Sequence, residues 1–220
     1  MYETVKGNLL RIQEEIAPCK PRIIAVTKYF DENALYAAYD AGIRDFGESR
    51  VVEASKKITS LSDEVKNNSK FHFIGHLQTN KVKQAVKVFE YIHSLDSLKL
   101  AECISQNALE IGKVQKVLVQ INNAGEEQKF GFSKQDVFNV FPDLQKLKGI
   151  QIVGVMNMAP FAATEQGLES LFGEIVQIRD SLREMYNCNL EEISMGMSRD
   201  YKIAAQQGST MLRVGRKLFE

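Results

Sequence analysis

Across 220 residues the chain carries only three cysteines, three histidines and no surplus of either charge, its 28 basic side chains balancing 28 acidic ones. Each shortage excludes a class of protein. Zero net charge removes the electrostatic footprint of a dedicated nucleic-acid binder. No apolar run approaches the ~20 residues that span a bilayer, so no membrane partner is expected. The first twenty residues interleave charged and apolar positions, unlike a secretory leader. Cys19, Cys103 and Cys188 are widely spaced and odd in number, which argues against a disulfide framework and for a reducing, cytoplasmic setting. His72 and His76 fall on one strand face, but no third ligand can be placed beside them, so no metal site is expected. Glycine motifs are also missing. There is no G-x-G-x-x-G and no G-x-S-x-G, and Gly42-Ile-Arg-Asp-Phe-Gly47-Glu-Ser49 lacks the lysine of a P-loop.

What the chain does have is one repeated pattern, a short β-branched run followed by an amphipathic segment with a polar start. Strands are expected at 22–28, 43–47, 70–76, 91–96, 116–122, 150–156, 192–195 and 210–215. Helices are expected between them at 31–41, 49–67, 79–89, 98–111, 133–147, 165–186 and 198–207. Asp31 can cap the first of these and Gly42 can end it, with Ala34, Leu35, Ala38 and Ala41 facing inward. Eight strands alternating with helices favour a (β/α)8 TIM-like barrel over a doubly wound open sheet. Only five residues follow Gly215, too few for an eighth outer helix. Residues 2–16, however, carry a stripe of Val5, Leu9, Ile12 and Ile16, and this leading helix is expected to cover the open seam. No linker or repeat interrupts the chain, so residues 1–220 are read as one domain, large enough to bury roughly 70% of its surface. Asn122 to Lys129 reads as a polar, mobile loop.

Two regions at opposite ends of the chain carry the chemistry. Lys28 closes the strand Arg22-Ile-Ile-Ala-Val-Thr-Lys28 at the end where barrels keep their sites. Alternation puts it on one face with Ile24 and Val26, partly desolvated, which would free its amine for a Schiff base. Ser194-Met-Gly-Met-Ser198 and Arg213-Val-Gly215 fall in the seventh and eighth strand-end slots, where barrels often bind phosphate. There Gly196 would let the backbone approach a ligand, and Ser198 would cap the following helix, whose amides attract an anion. A reactive lysine facing a phosphate cradle suggests pyridoxal 5'-phosphate, with an aldehyde at one end and a phosphate at the other. His76, at a strand end, can line the same pocket. The methionines at 156, 158, 195 and 197 read mainly as packing.

Ala25-Val-Thr-Lys28, Phe46-Gly-Glu48, Phe71-His-Phe-Ile-Gly-His-Leu-Gln78, Ser194-Met-Gly-Met-Ser198 and Gly208-Ser-Thr-Met-Leu-Arg-Val-Gly215 together resemble the pyridoxal phosphate homeostasis (YggS/PROSC) family over nearly the whole chain. The resemblance implies a barrel like the alanine racemase N-terminal domain, with the cofactor joined to Lys28 as an imine. It places the phosphate pocket at Ser194, Ser198, Arg213 and Gly215, with the arginine near the phosphate or the ring nitrogen; read from the residues themselves, Gly196, Met197 and His76 join the expected cofactor-binding set. It also implies a role in cofactor supply and amino-acid balance without established turnover. The chain departs from the family at Ser49, where asparagine is common, and at Arg216, where a small hydroxyl residue is usual; Arg216 is expected to face solvent.

The partners expected are pyridoxal phosphate itself and apo forms of enzymes that use it, with the protein a monomer and not an enzyme. The chain stops with the barrel just complete, without the second domain that closes the site of alanine racemases, and this favours a carrier. A racemase- or decarboxylase-like enzyme is the main alternative, and a Schiff-base aldolase for sugar phosphates a more distant one.

Overall fold

The computed structural model describes residues 4–126, 128 and 130–220. Eight parallel strands close in sequence order into a barrel. They are β1 (Arg22–Val26), β2 (Asp45–Glu48), β3 (Lys70–Phe73), β4 (Tyr91–Leu95), β5 (Gln115–Ile121), β6 (Ile150–Asn157), β7 (Glu192–Met197) and β8 (Met211–Val214). The barrel shuts where β8 pairs with β1, with Ile24 opposite Arg213. Alternation sorts each strand's residues. Outward positions such as Ala25, Phe46, Val117, Val155 and Leu212 join the large core under the helices. Ile24, Tyr91, Leu118, Met156 and Met211 form a separate cluster in the lumen.

The outer layer comprises α1 (Val5–Glu15), α2 (Glu32–Asp40), α3 (Val51–Ser60), α4 (Asp63–Asn67), α5 (Val82–Val88), α6 (Leu98–Glu110), α7 (Lys134–Gln145), α8 (Glu165–Tyr186), α9 (Tyr201–Gln206) and α10 (Arg216–Phe219). Short polar residues start most of them, because a side-chain oxygen can satisfy an otherwise orphaned amide. Asp31, Ser62, Ser97, Ser133 and Thr164 each accept from the backbone three residues on. Gly42, with φ +100°, follows the end of α2. No helix among the described residues is long and apolar enough to cross a membrane.

Several boundaries differ from the sequence reading. The helix expected over 49–67 is two helices, since Leu61 turns extended to bury its side chain and Ser62 starts α4. The first strand stops at Val26 and the third at Phe73, which leaves Lys28 and His76 in the loops beyond. α9 begins only at Tyr201. Residues 127 and 129 of the polar 122–129 segment, and residues 2 and 3 of the leading helix, lie outside the described residues.

The seam is covered as expected, with one addition. A single turn, α10, forms after β8, and α1 packs across it and α2. Asn8 Nδ2 donates to the Leu218 carbonyl at 3.1 Å. The Tyr201 hydroxyl of α9 bonds the Glu15 carboxylate at the end of α1. Val5, Leu9, Ile12 and Ile16 are all buried. Because α1 serves as part of the barrel's wall, Ile12→Ala should cost about 2–5 kcal/mol by urea denaturation, the range for a buried aliphatic truncation. A loss below about 0.5 kcal/mol would mean that α1 is an appendage.

Candidate functional site

The loops after β1, β6, β7 and β8 enclose a cavity of about 710 Å³ at the C-terminal mouth of the barrel, whose walls include Lys28, Met158, Met197, Ser198, Arg213 and Gly215. Barrel closure brings the two ends of the chain together here.

Lys28 is exposed, not desolvated as its expected place on a strand face implied. β1 ends two residues earlier, so the alternation that would turn the side chain inward stops with it. The turn that carries Lys28 is nevertheless fastened. Lys57 of α3 donates to the carbonyls of Thr27 and Phe30 and to Glu48 Oε1, each at 2.8 Å. Thr27 Oγ1 donates to the same carboxylate at 2.7 Å. Thr27 and Glu48 are buried, so an ammonium, a carboxylate and a hydroxyl form one satisfied cluster beneath the turn.

Arg213 is 4% exposed and occupies the lumen end of the cavity. Its Nη1 donates to the Ser194 carbonyl at 2.7 Å and to Ser194 Oγ at 2.6 Å, and its Nη2 to the Asn157 carbonyl at 2.8 Å. Burial pulls the guanidinium down to about 10, while the Asp200 carboxylate opposes that shift. The group still holds its proton at neutral pH.

Ser198 does not cap α9 as expected. Its hydroxyl turns to the next loop and accepts the Gly215 amide at 3.2 Å and the Lys217 amide at 3.4 Å. Asp200 stands at the start of α9, and its carboxylate accepts the Met197 amide at 2.5 Å. The acceptor on which both amides converge is Ser198 Oγ itself, so the hydroxyl ties the loop after β7 to the loop after β8, and Ser198 and Gly215 stand side by side in the cavity wall.

Three sequence candidates lie elsewhere. Ser194 is fully buried in the lumen, its oxygen shared between Arg213 and His93 Nδ1, 2.9 Å away. Gly196, with φ +90°, faces the protein and not a ligand: an added Cβ would sit 2.5 Å from Ala204 Cβ and 2.8 Å from Leu212 Cδ2. His76 is exposed, 3.0 Å from Asp96 and stacked on Phe130, beside a smaller hollow that includes Ser49 and Arg50. Arg216 is exposed as expected, yet it is also part of the cavity wall. Lys57, Asn157 and His93 escaped the sequence reading; Glu48 appeared there only as a motif residue.

The chain matches the family model "Alanine racemase, N-terminal domain" over residues 2–220. It is 39% identical to the pyridoxal phosphate homeostasis protein of Synechocystis sp., over 92% of each chain. It is 33% identical to the human protein of the same name, over 99% of this chain and 82% of that one. This chain belongs to the pyridoxal phosphate homeostasis protein family. Among solved structures it resembles PipY of Synechococcus elongatus without PLP, with a TM-score of 0.92 and 35% identity, covering 98% of this chain and 100% of that one. The form of PipY with PLP bound superposes with a TM-score of 0.88. The family assignment agrees with the resemblance read from the motifs.

The cluster under Lys28 leads to a coupled prediction. Lys57→Met should cost about 2–4 kcal/mol, since it strands a buried carboxylate. The double variant Lys57→Met/Glu48→Gln should cost clearly less than the two single losses combined, because the second change removes the stranded charge. Additive losses in urea denaturation would mean that the two side chains do not act as a unit.

Proposed function

We propose that the chain binds pyridoxal 5'-phosphate at the barrel mouth, attached through Lys28, and holds it for supply to other proteins without turning over a substrate. The observation that carries this reading is the convergence of an accessible amine, the Ser198 hydroxyl and a buried guanidinium on one cavity. PLP-bound PipY, at 34% identity, supports it. When bound, the cofactor supplies an aldehyde for covalent attachment and a phosphate for anchoring.

The protein's own residues divide the work. The Lys57–Glu48–Thr27 cluster fixes the backbone on either side of Lys28 while the amine itself reaches solvent. The Ser198 hydroxyl, whose oxygen already accepts the Gly215 and Lys217 amides and whose hydrogen is its own to donate, would meet the phosphate, with Arg216 as an added cation at the rim. Arg213, rigidly tied to Ser194 and Asn157, would present its remaining N–H groups to the cofactor ring.

The same geometry supports holding over catalysis. Tyr29 and Phe161, both in the cavity wall, are 77% and 79% exposed, so the neighbourhood of Lys28 is wet. Of the carboxylates in that wall, Asp200 is committed to the Met197 amide and Glu165 is exposed. A wet site whose described wall offers no carboxylate held over the amine is poor for proton abstraction but well suited to exchange with free amines. Apo forms of pyridoxal-phosphate enzymes are the acceptors this reading assigns.

Borohydride reduction of the loaded protein, followed by peptide mapping, should place a pyridoxyl group on the peptide containing Lys28; a label on another lysine would sink the assignment. Arg213→Gln should weaken cofactor affinity at least about tenfold, and Lys28→Ala should keep weak binding, because hydrogen bonds to charged groups contribute about 1.5–3 kcal/mol each. Equal affinity of Arg213→Gln and wild type would contradict that. On holding versus turnover, the loaded protein should activate an apo enzyme without sustained racemisation, decarboxylation or transamination. Steady turnover of about 1 per second or faster would overturn this.

A further inference from the structure

Behind Arg213 a line of buried polar side chains crosses the barrel lumen. Ser194 Oγ lies 2.9 Å from His93 Nδ1. His93 Nε2 lies 2.9 Å from His72 Nδ1, and His72 Nε2 lies 2.9 Å from Asp45 Oδ1. His72, His93 and Ser194 are each fully buried. Asp45, the first residue of β2, stands at the N-terminal end of the barrel, away from the cavity. Arg22 Nη1 is 3.7 Å from the same carboxylate oxygen.

With both imidazoles neutral, the chemistry of the two ends fixes the direction of every bond. An ionised carboxylate only accepts, so His72 Nε2 carries the hydrogen and Nδ1 is a bare acceptor. His93 must then donate from Nε2, which leaves its own Nδ1 to accept the Ser194 hydroxyl hydrogen. Ser194 in turn accepts from Arg213, which can only donate. Every donor thus points the same way, from the guanidinium cation to the Asp45 anion. Burial keeps His93 well below its usual pKa, with His72, Arg213 and Arg22 adding to the effect. Burial lowers His72 as well, against the pull of Asp45. Both shifts favour the neutral imidazoles on which this orientation depends.

We propose that Asp45, His72, His93 and Ser194 are positioning residues for Arg213, a one-way hydrogen-bonded chain that sets which guanidinium hydrogens face the cavity. Nη1 gives one hydrogen to the Ser194 carbonyl and the other to the hydroxyl, but that hydroxyl can accept cleanly only while it donates to His93. Nη2 gives one hydrogen to Asn157. The Nε hydrogen and the second Nη2 hydrogen are left for a ligand. If the chain is cut, the Ser194 hydroxyl is free to rotate and the guanidinium loses the acceptor that fixes its plane. The consequence for a ligand rests on the reading that Arg213 faces bound pyridoxal phosphate; the orientation of the chain itself does not.

The test has two arms. In the first, nitrogen-15 NMR of histidine side chains in the protein without added cofactor should find both His72 and His93 as Nε2–H tautomers. His72→Phe, which keeps a ring against Tyr91, should leave His93 in a mixture of tautomers. A His93 that is cationic or protonated on Nδ1 in the wild type would overturn the proposal, and so would an unchanged His93 in the variant. In the second arm, Asp45→Leu should lower pyridoxal phosphate affinity about threefold to tenfold, the range of one net hydrogen bond. Asp45→Asn, whose amide oxygen still accepts, should recover at least half of that loss on a logarithmic scale, with urea denaturation confirming that each variant is folded. Equal affinities for wild type and Asp45→Leu would overturn the proposal. Absence of any uptake by the wild type would instead refute the site reading, and the tautomers would then decide the relay alone.

Discussion

The pairing of β8 with β1 is the constraint on which the site depends. It sets Ile24 opposite Arg213 and so brings a lysine near residue 30 beside an arginine and a glycine near residue 215. Neither group of residues has a cavity to line until the barrel closes. Closure in turn requires cover for the strands nearest the seam, and α1 and α10 provide it jointly, with Asn8 bonded to Leu218. The first and last elements of the chain are therefore part of the site's support, although neither α1 nor the buried residues of α10 line the cavity.

Around that closure the protein combines rigid anchoring with open access. Arg213 has three hydrogen bonds to Ser194 and Asn157, and the Lys28 turn is pinned by Lys57, Glu48 and Thr27. The Lys28 amine and the rim residues Tyr29, Phe161 and Arg216 are exposed. A buried cation already held in place by three hydrogen bonds costs little further ordering when it meets a ligand, which favours binding. An amine in contact with water and free solutes favours exchange. These are the properties expected of a holder of pyridoxal phosphate, and they follow from where each strand stops.

Much of the architecture was legible in the sequence because its signals are local and periodic. β-branched runs separated by capped amphipathic segments predicted eight strands and a barrel. The glycine and serine punctuation of residues 194–198 and 213–215 placed those segments at adjacent strand ends. Local signals failed where the exact end of a strand or the partner of one hydroxyl mattered. β1 ends at Val26, so Lys28 is exposed; Ser198 was expected to cap the next helix, but its oxygen instead accepts amides seventeen and nineteen residues away in sequence. The serine pattern of 194–198 points to a ligand for both hydroxyls, whereas the Ser194 side chain is buried between Arg213 and His93. Lys57 and His93 could not be found by spacing at all. Lys57 reaches back from α3 to a turn thirty residues earlier, and His93 meets Ser194 across the barrel, 101 residues away. Contacts of that kind exist only once helix packing and barrel register are fixed.

The most direct test of the account is the near-ultraviolet and visible absorption spectrum of the protein after incubation with pyridoxal phosphate and removal of the unbound excess. The account predicts a retained chromophore at a stoichiometry of about one per chain, bound with roughly micromolar affinity or better. A spectrum identical to that of the untreated protein, with no chromophore retained before or after incubation, would contradict it.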